Sequence, residues 1–150
     1  MIRIENIVVP VDFSAHSHEA IETSIALAKT FGAKLHLVHA YHLPFPLGTP
    51  DMISIPQDFA KAVRDSASRK LETILEHVTG EGIQGEIHVT GSAPVEAIEV
   101  TAEKVGADLI VMGTRGLTGL KHVVLGSVAE RTIRTAPCPV MTVKDPSEKA

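Results

Sequence analysis

Five short runs of β-branched and aliphatic residues alternate with four longer stretches of helical periodicity, and this alternation limits the fold more than any other feature. The runs are Asn6 to Val11, Lys34 to Ala40, Gly85 to Val89, Asp108 to Gly113 and Val140 to Val143. They are nearly continuous in apolar character, as expected of strands covered on both faces. Between them, Ile21, Ile25 and Ala28 mark one helical stripe, and Phe59, Val63, Leu71, Ile74, Leu75 and Val78 a second. Val95, Ile98, Ala102 and Val105 mark a third, and Val128 and Ile133 a fourth. A βαβαβαβαβ order implies parallel strands joined by right-handed crossovers, with helices on both faces of the sheet. The expected class is α/β, a doubly wound five-stranded parallel sheet.

A length of 150 residues predicts one domain, 1–150. With 44% hydrophobic residues and only four Phe, one Tyr and no Trp, the interior must be built from Val, Ile, Leu and Ala. The net charge of −4 argues against a nucleic-acid surface, which normally displays a basic face. One cysteine, Cys138, between Pro137 and Pro139, excludes an intramolecular disulfide and suggests a buried strand entrance. Met1 to Glu5 leads straight into a strand with no signal-peptide pattern, and no apolar run approaches bilayer length. A cytoplasmic protein without membrane insertion is expected.

The chemistry concentrates between Gly113 and Ser127, which reads Gly-Thr-Arg-Gly-Leu-Thr-Gly-Leu-Lys-His-Val-Val-Leu-Gly-Ser. Glycines there let backbone N–H groups approach a polyanion, and Gly126-Ser127 opens a helix whose N-terminus carries a positive dipole. Arg115, Lys121 and His122 are not offset by any acid within 114–125, so the local field opposes the global one and favours phosphate. The same segment contains no Asp, Glu or Gln to orient a water, which predicts binding without efficient turnover.

The spacing G-x-x-G, nine residues, then G-S resembles the signature of the ATP-binding branch of the universal stress protein family. The resemblance runs from Ile7-Val-Val-Pro-Val-Asp12 to Ala136-Pro-Cys-Pro-Val140. It implies a Rossmann-like fold, similar to adenine nucleotide alpha hydrolases, with strand order 3-2-1-4-5. The chain order would then reverse between strands 1 and 4, and ligands would bind beyond the carboxyl ends there. It also implies a binding set of Pro10, Val11, Asp12, Ala40, Met112, Gly113, Arg115, Gly116, Gly126, Ser127 and Val128. In that set Asp12 would meet the ribose and Ala40 would place backbone groups against adenine. ATP is the implied ligand, with Mg²⁺ held mainly by its phosphates plus a carboxylate such as Asp12. Strand 140–143 would be an apolar edge, and similar proteins dimerise through it.

Other readings stand beside these. Asp12 would also serve as an acid satisfying N–H groups at a helix start, and Ser127-Val-Ala-Glu130 fits a capping box. The proline-rich, apolar stretch 41–56 reads either as a packed cover or as a contact to nucleotide or a second subunit. Gly80-Glu-Gly-Ile-Gln-Gly85 matches G-x-G-x-x-G but follows a helix and precedes a strand, the reverse of the dinucleotide fingerprint. No P-loop and no G-x-S-x-G elbow occurs. His36, His39 and His42 do not share one strand face, so no metal site is expected. The function expected is a homodimeric ATP-dependent sensor or adaptor in stress response, with an unknown protein partner and a 114–125 loop ordered by nucleotide. A slow ATPase or autophosphorylating enzyme, and an interaction module that binds no nucleotide, are the alternatives.

Overall fold

A computed structural model describes residues 1–43, 57–115 and 125–146. Its strands are β1 (Asn6–Pro10), β2 (Lys34–Ala40), β3 (Gly85–Thr90), β4 (Leu109–Gly113) and β5 (Val140–Val143). They form one parallel sheet in the order β3-β2-β1-β4-β5, the doubly wound arrangement that the family resemblance implied. β1 is central, with Ile7 opposite Leu35 on one side and Leu109 on the other.

The helices are α1 (Ala15–Phe31), α2 (Gln57–Gly80), α3 (Pro94–Val105) and α4 (Ser127–Thr135). Successive strand residues point to opposite faces, and this divides the interior in two. Ile7, Val9, Leu35, Leu37 and Val111 pack with Ile21 and Ile25 of α1 and Leu71 and Val78 of α2. Val8, Val38, Ile110 and Met112 pack with Ala97, Ile98 and Ala102 of α3 and Ala129 of α4. The central strands are therefore apolar at nearly every position.

Local chemistry sets the helix ends. Ser14 caps α1 by accepting from the Ser17 amide, and Gly32 ends the helix at φ 71°, a left-handed conformation that costs glycine little. α2 runs through to Gly80 and β3 begins at Gly85, so 80–85 is a helix end and a turn. Asp108 precedes β4; its Oδ2 accepts from the amides of Glu5 at 2.8 Å and Asn6 at 3.0 Å, tying the entrance of β1 to that of β4.

Two helical stripes differ from their expected form. The buried face of α4 is Ala129 and Thr132, whereas Ile133 is 48% exposed; small side chains at i and i+3 let this short helix lie close to the sheet. Phe59 on the first turn of α2 is likewise exposed. Cys138 packs against the second cluster, and burial, reinforced by Asp108, pushes its thiol pKa up. The stretch 41–56 lies outside the described residues from 44 onward.

Candidate functional site

β1 and β4 are neighbours whose connections run to opposite sides of the sheet. A cavity of about 710 Å³ opens at their carboxyl ends, the place where doubly wound sheets bind ligands. Pro10, Val11, Asp12, Ala40, Met112, Gly113, Arg115, Gly126, Ser127 and Val128 all line it. Gly116, Lys121 and His122 lie outside the described residues, as does most of the 114–125 loop. The lining also includes Val38, His39, His42, Pro94, Ile98 and Thr114, none of which belonged to the binding set read from the sequence.

Asp12 is held by a compact polar turn. Its Oδ1 accepts from the Ser14 amide at 2.9 Å and the Ser14 hydroxyl at 2.5 Å. Its own amide donates to Ser17 Oγ at 3.2 Å. Both readings of Asp12 are thus compatible: one oxygen supports the helix start, while Oδ2 accepts no hydrogen bond among the described residues. The residue that follows, Phe13, has φ 66°, a left-handed conformation uncommon for a side chain of this size. Its ring lies 4.6 Å, centroid to centroid, from that of His39. His39 Nδ1 in turn donates to the Val11 carbonyl at 2.6 Å. These contacts oppose the backbone cost and fix the direction in which Asp12 leaves β1.

The opposite wall is the start of α4. Gly126 has φ −69° and ψ 161° and is the residue preceding the helix, with no side-chain cap. The expected capping box is therefore absent: Ser127 is the first helical residue, and the Glu130 carboxylate accepts from Arg134 Nη2 at 2.6 Å instead. A serine at this first position has its hydroxyl beyond the N-cap geometry. The first intrahelical bond is the Glu130 amide to the Gly126 carbonyl at 3.0 Å, so the helix itself provides no partner for the amides of Ser127, Val128 and Ala129. The Gly126 amide is already engaged, donating to the Thr114 carbonyl at 2.6 Å.

Thr114 joins three elements. Its amide donates to the Val143 carbonyl of β5 at 3.0 Å, its carbonyl holds Gly126, and its hydroxyl lies 3.3 Å from His16 Nδ1 on α1. Sequence reasoning passed over it because two of these bonds use backbone atoms. Gly113, besides lining the cavity, meets a packing requirement. A Cβ there would fall 2.6 Å from His16 Cβ and 2.9 Å from the His16 carbonyl carbon, so its bareness admits the first turn of α1.

The cavity thus has an acid on one wall, uncapped amides and Arg115 on the other, and Val38, Ala97, Ile98 and Met112 among its apolar surfaces. Fold and site place the chain among doubly wound α/β domains with a cavity at the switch point of the sheet. The chain belongs to the universal stress protein family, whose family model matches residues 3–144. Universal stress protein MJ0531 of Methanocaldococcus jannaschii is 34% identical over 145 residues, covering 97% of this chain and 85% of the relative. The solved structure of protein MJ0577 from the same organism is similar with a TM-score of 0.81 at 27% identity, covering 94% of this chain and 96% of that one. A universal stress protein from Archaeoglobus fulgidus, solved in complex with dAMP, gives a TM-score of 0.63 at 27% identity and covers 96% of this chain and 100% of that one.

Proposed function

We propose that this protein binds ATP in the cavity above β1 and β4 and works as a homodimeric, nucleotide-dependent sensor or adaptor in the cytoplasmic stress response. The observation that carries the reading is the pairing of Asp12 on one wall with the uncapped first turn of α4 on the other. A carboxylate accepts from ribose hydroxyls, while helix N-terminal amides and the dipole favour phosphate. Arg115 adds charge beside them. The apolar surface near Val38 and Ile98 suits a base, with the Ala40 backbone at its edge. The dAMP complex of the Archaeoglobus fulgidus relative supports an adenine nucleotide.

Mg²⁺ accompanies ATP in this reading. Its ligands would be phosphate oxygens and the Asp12 carboxylate, the one acid among the described lining residues; the ion would neutralise phosphate charge. Turnover is slow because 113–127 contains no acid or glutamine to orient water.

Chain 1–150 acts as one domain in this account, and two copies pair through β5. That strand ends the sheet, its Met141 is 38% exposed, and an unpaired apolar edge favours a two-fold partner. Nucleotide would order the 114–125 loop and so select what that surface offers to a partner protein.

The test is calorimetric titration of nucleotide-stripped protein with ATP and Mg²⁺, with Ser127→Pro as the comparison. Proline is well tolerated at a first helical position and removes one cradle amide; the extended conformation of Gly126 suits the residue before it. Saturable ATP binding that Ser127→Pro weakens, with adenosine binding little changed, supports the reading. No ATP binding by the wild type would contradict it and leave an interaction module.

A further inference from the structure

We propose that His36, His88 and Glu86 form a binding site for a zinc-class divalent cation on the β2–β3 edge of the sheet, independent of the nucleotide cavity. β2 and β3 pair in parallel with His36 opposite Glu86 and Val38 opposite His88. The alternation of strand side chains puts these three groups on one face. One ligand atom from each lies within 4.8 Å of the others. His36 Nδ1 is 3.2 Å from His88 Nε2 and 3.8 Å from Glu86 Oε2. Two nitrogens each about 2.0–2.1 Å from a tetrahedral zinc lie about 3.3 Å apart, so the two rings already stand at ligand spacing. Glu86 is the exposed member, its side chain 51% exposed, and would complete a His₂Glu set with water in the fourth position.

Asn6 supplies the second part of the argument. Its Oδ1 lies 3.0 Å from His36 Nε2, and an amide oxygen is an acceptor only, so the His36 proton is on Nε2. His36 Nδ1 is then a bare lone pair in a buried ring, and His88 Nε2 donates to it. This is the orientation device common to metal-bound histidines, in which the far ring nitrogen donates to a fixed oxygen. Metal would take the place of the proton between the rings, and that proton would move to His88 Nδ1, leaving both rings neutral.

Cations already present oppose the metal. Lys34 Nζ donates to Glu86 Oε2 at 2.9 Å, so the carboxylate must leave Lys34 to coordinate, and Lys104 acts on His88 through space. An ion pair between exposed side chains of one chain contributes little, and coordination would outweigh it.

The experiment is calorimetric titration of the nucleotide-free full chain with Zn²⁺ in chelator-free buffer, for wild type, His88→Asn, Glu86→Gln and Lys34→Gln, with thermal melting as a check of folding. One equivalent of Zn²⁺ is expected to bind the wild type and raise its melting temperature. His88→Asn should weaken binding by about tenfold or more, the lower end of the loss seen even for outer-shell partners, and Glu86→Gln should weaken it less. Lys34→Gln should tighten it, an outcome that misfolding cannot imitate. Wild type that binds no zinc, His88→Asn that binds as the wild type does, or Lys34→Gln with unchanged affinity would each overturn the site.

Discussion

Gly113 at the end of β4 lies so close beneath His16 of α1 that a single added carbon would sit 2.6 Å from the His16 Cβ and 3.0 Å from its carbonyl oxygen. Gly113 is thus a packing requirement as well as a lining residue of the cavity. α1 reaches the sheet there, and hydrogen bonds join Asp12, Ser14 and Ser17 at the start of the same helix.

Gly113→Ala should accordingly be a stability variant. Overpacking against helix backbone costs about 1–3 kcal/mol, and urea denaturation should show that loss whether or not ATP is present. A variant of wild-type stability with weakened ATP binding would return Gly113 to the ligand.

Ser14 and Ser127 both precede or open helices, but only Ser14 caps one. Ser14→Ala should cost about 1 kcal/mol, whereas Ser127→Ala should stay within about 0.5 kcal/mol, the usual range for a substitution that removes no specific bond. Equal losses in chemical denaturation would mean that the Ser127 hydroxyl does cap α4.

Asp12→Asn keeps shape and removes the charge that faces the cavity. Hydrogen bonds to charged groups contribute about 1.5–3 kcal/mol, so ATP affinity should fall by about tenfold or more. The loss should be smaller for 2′-deoxy-ATP, which offers one hydroxyl fewer. Identical losses for the two nucleotides would separate Asp12 from the ribose.

Cys138 should be a slow thiol. Its pKa is raised above the ordinary 9.0, by burial first and then by Asp108, so less thiolate is present at any pH than on an open chain. Alkylation of the native protein should keep accelerating as pH rises beyond 9, and should become fast at pH 8 only in denaturant. A native rate at pH 8 equal to that of a free thiol would show the burial to be wrong.

Much of this was legible in the residues. The bounds of β2 and β5 follow from Lys34 to Ala40 and Val140 to Val143, because β-branched runs bounded by turn residues leave little choice. The strand order did not follow from any pattern; it rested on the resemblance carried by Asp12 and the 113–127 spacing. What escaped the sequence was whatever depends on backbone atoms or on distant strands. Thr114 acts through its amide and carbonyl, which no side-chain pattern records. Ile133 looked like core, yet Thr132 is the fully buried neighbour, because a nine-residue helix offers too few turns for periodicity to fix its phase. His36 and His88 are 52 residues apart and meet only through the register of β2 and β3. Residues 116–124, Gly116 among them, lie outside the described residues, so the role of Gly116 rests on the resemblance.

The central claim is a nucleotide between Asp12 and the first turn of α4, and the most direct measurement is a titration of isotope-labelled protein with ATP and Mg²⁺ followed by backbone amide resonances. The account predicts the largest shifts at Asp12, Ser127, Val128 and Ala129, with Ala40 next and the outer turns of α2 unmoved. Saturable binding whose shifts cluster elsewhere, or spectra unchanged at saturating ATP, would contradict it.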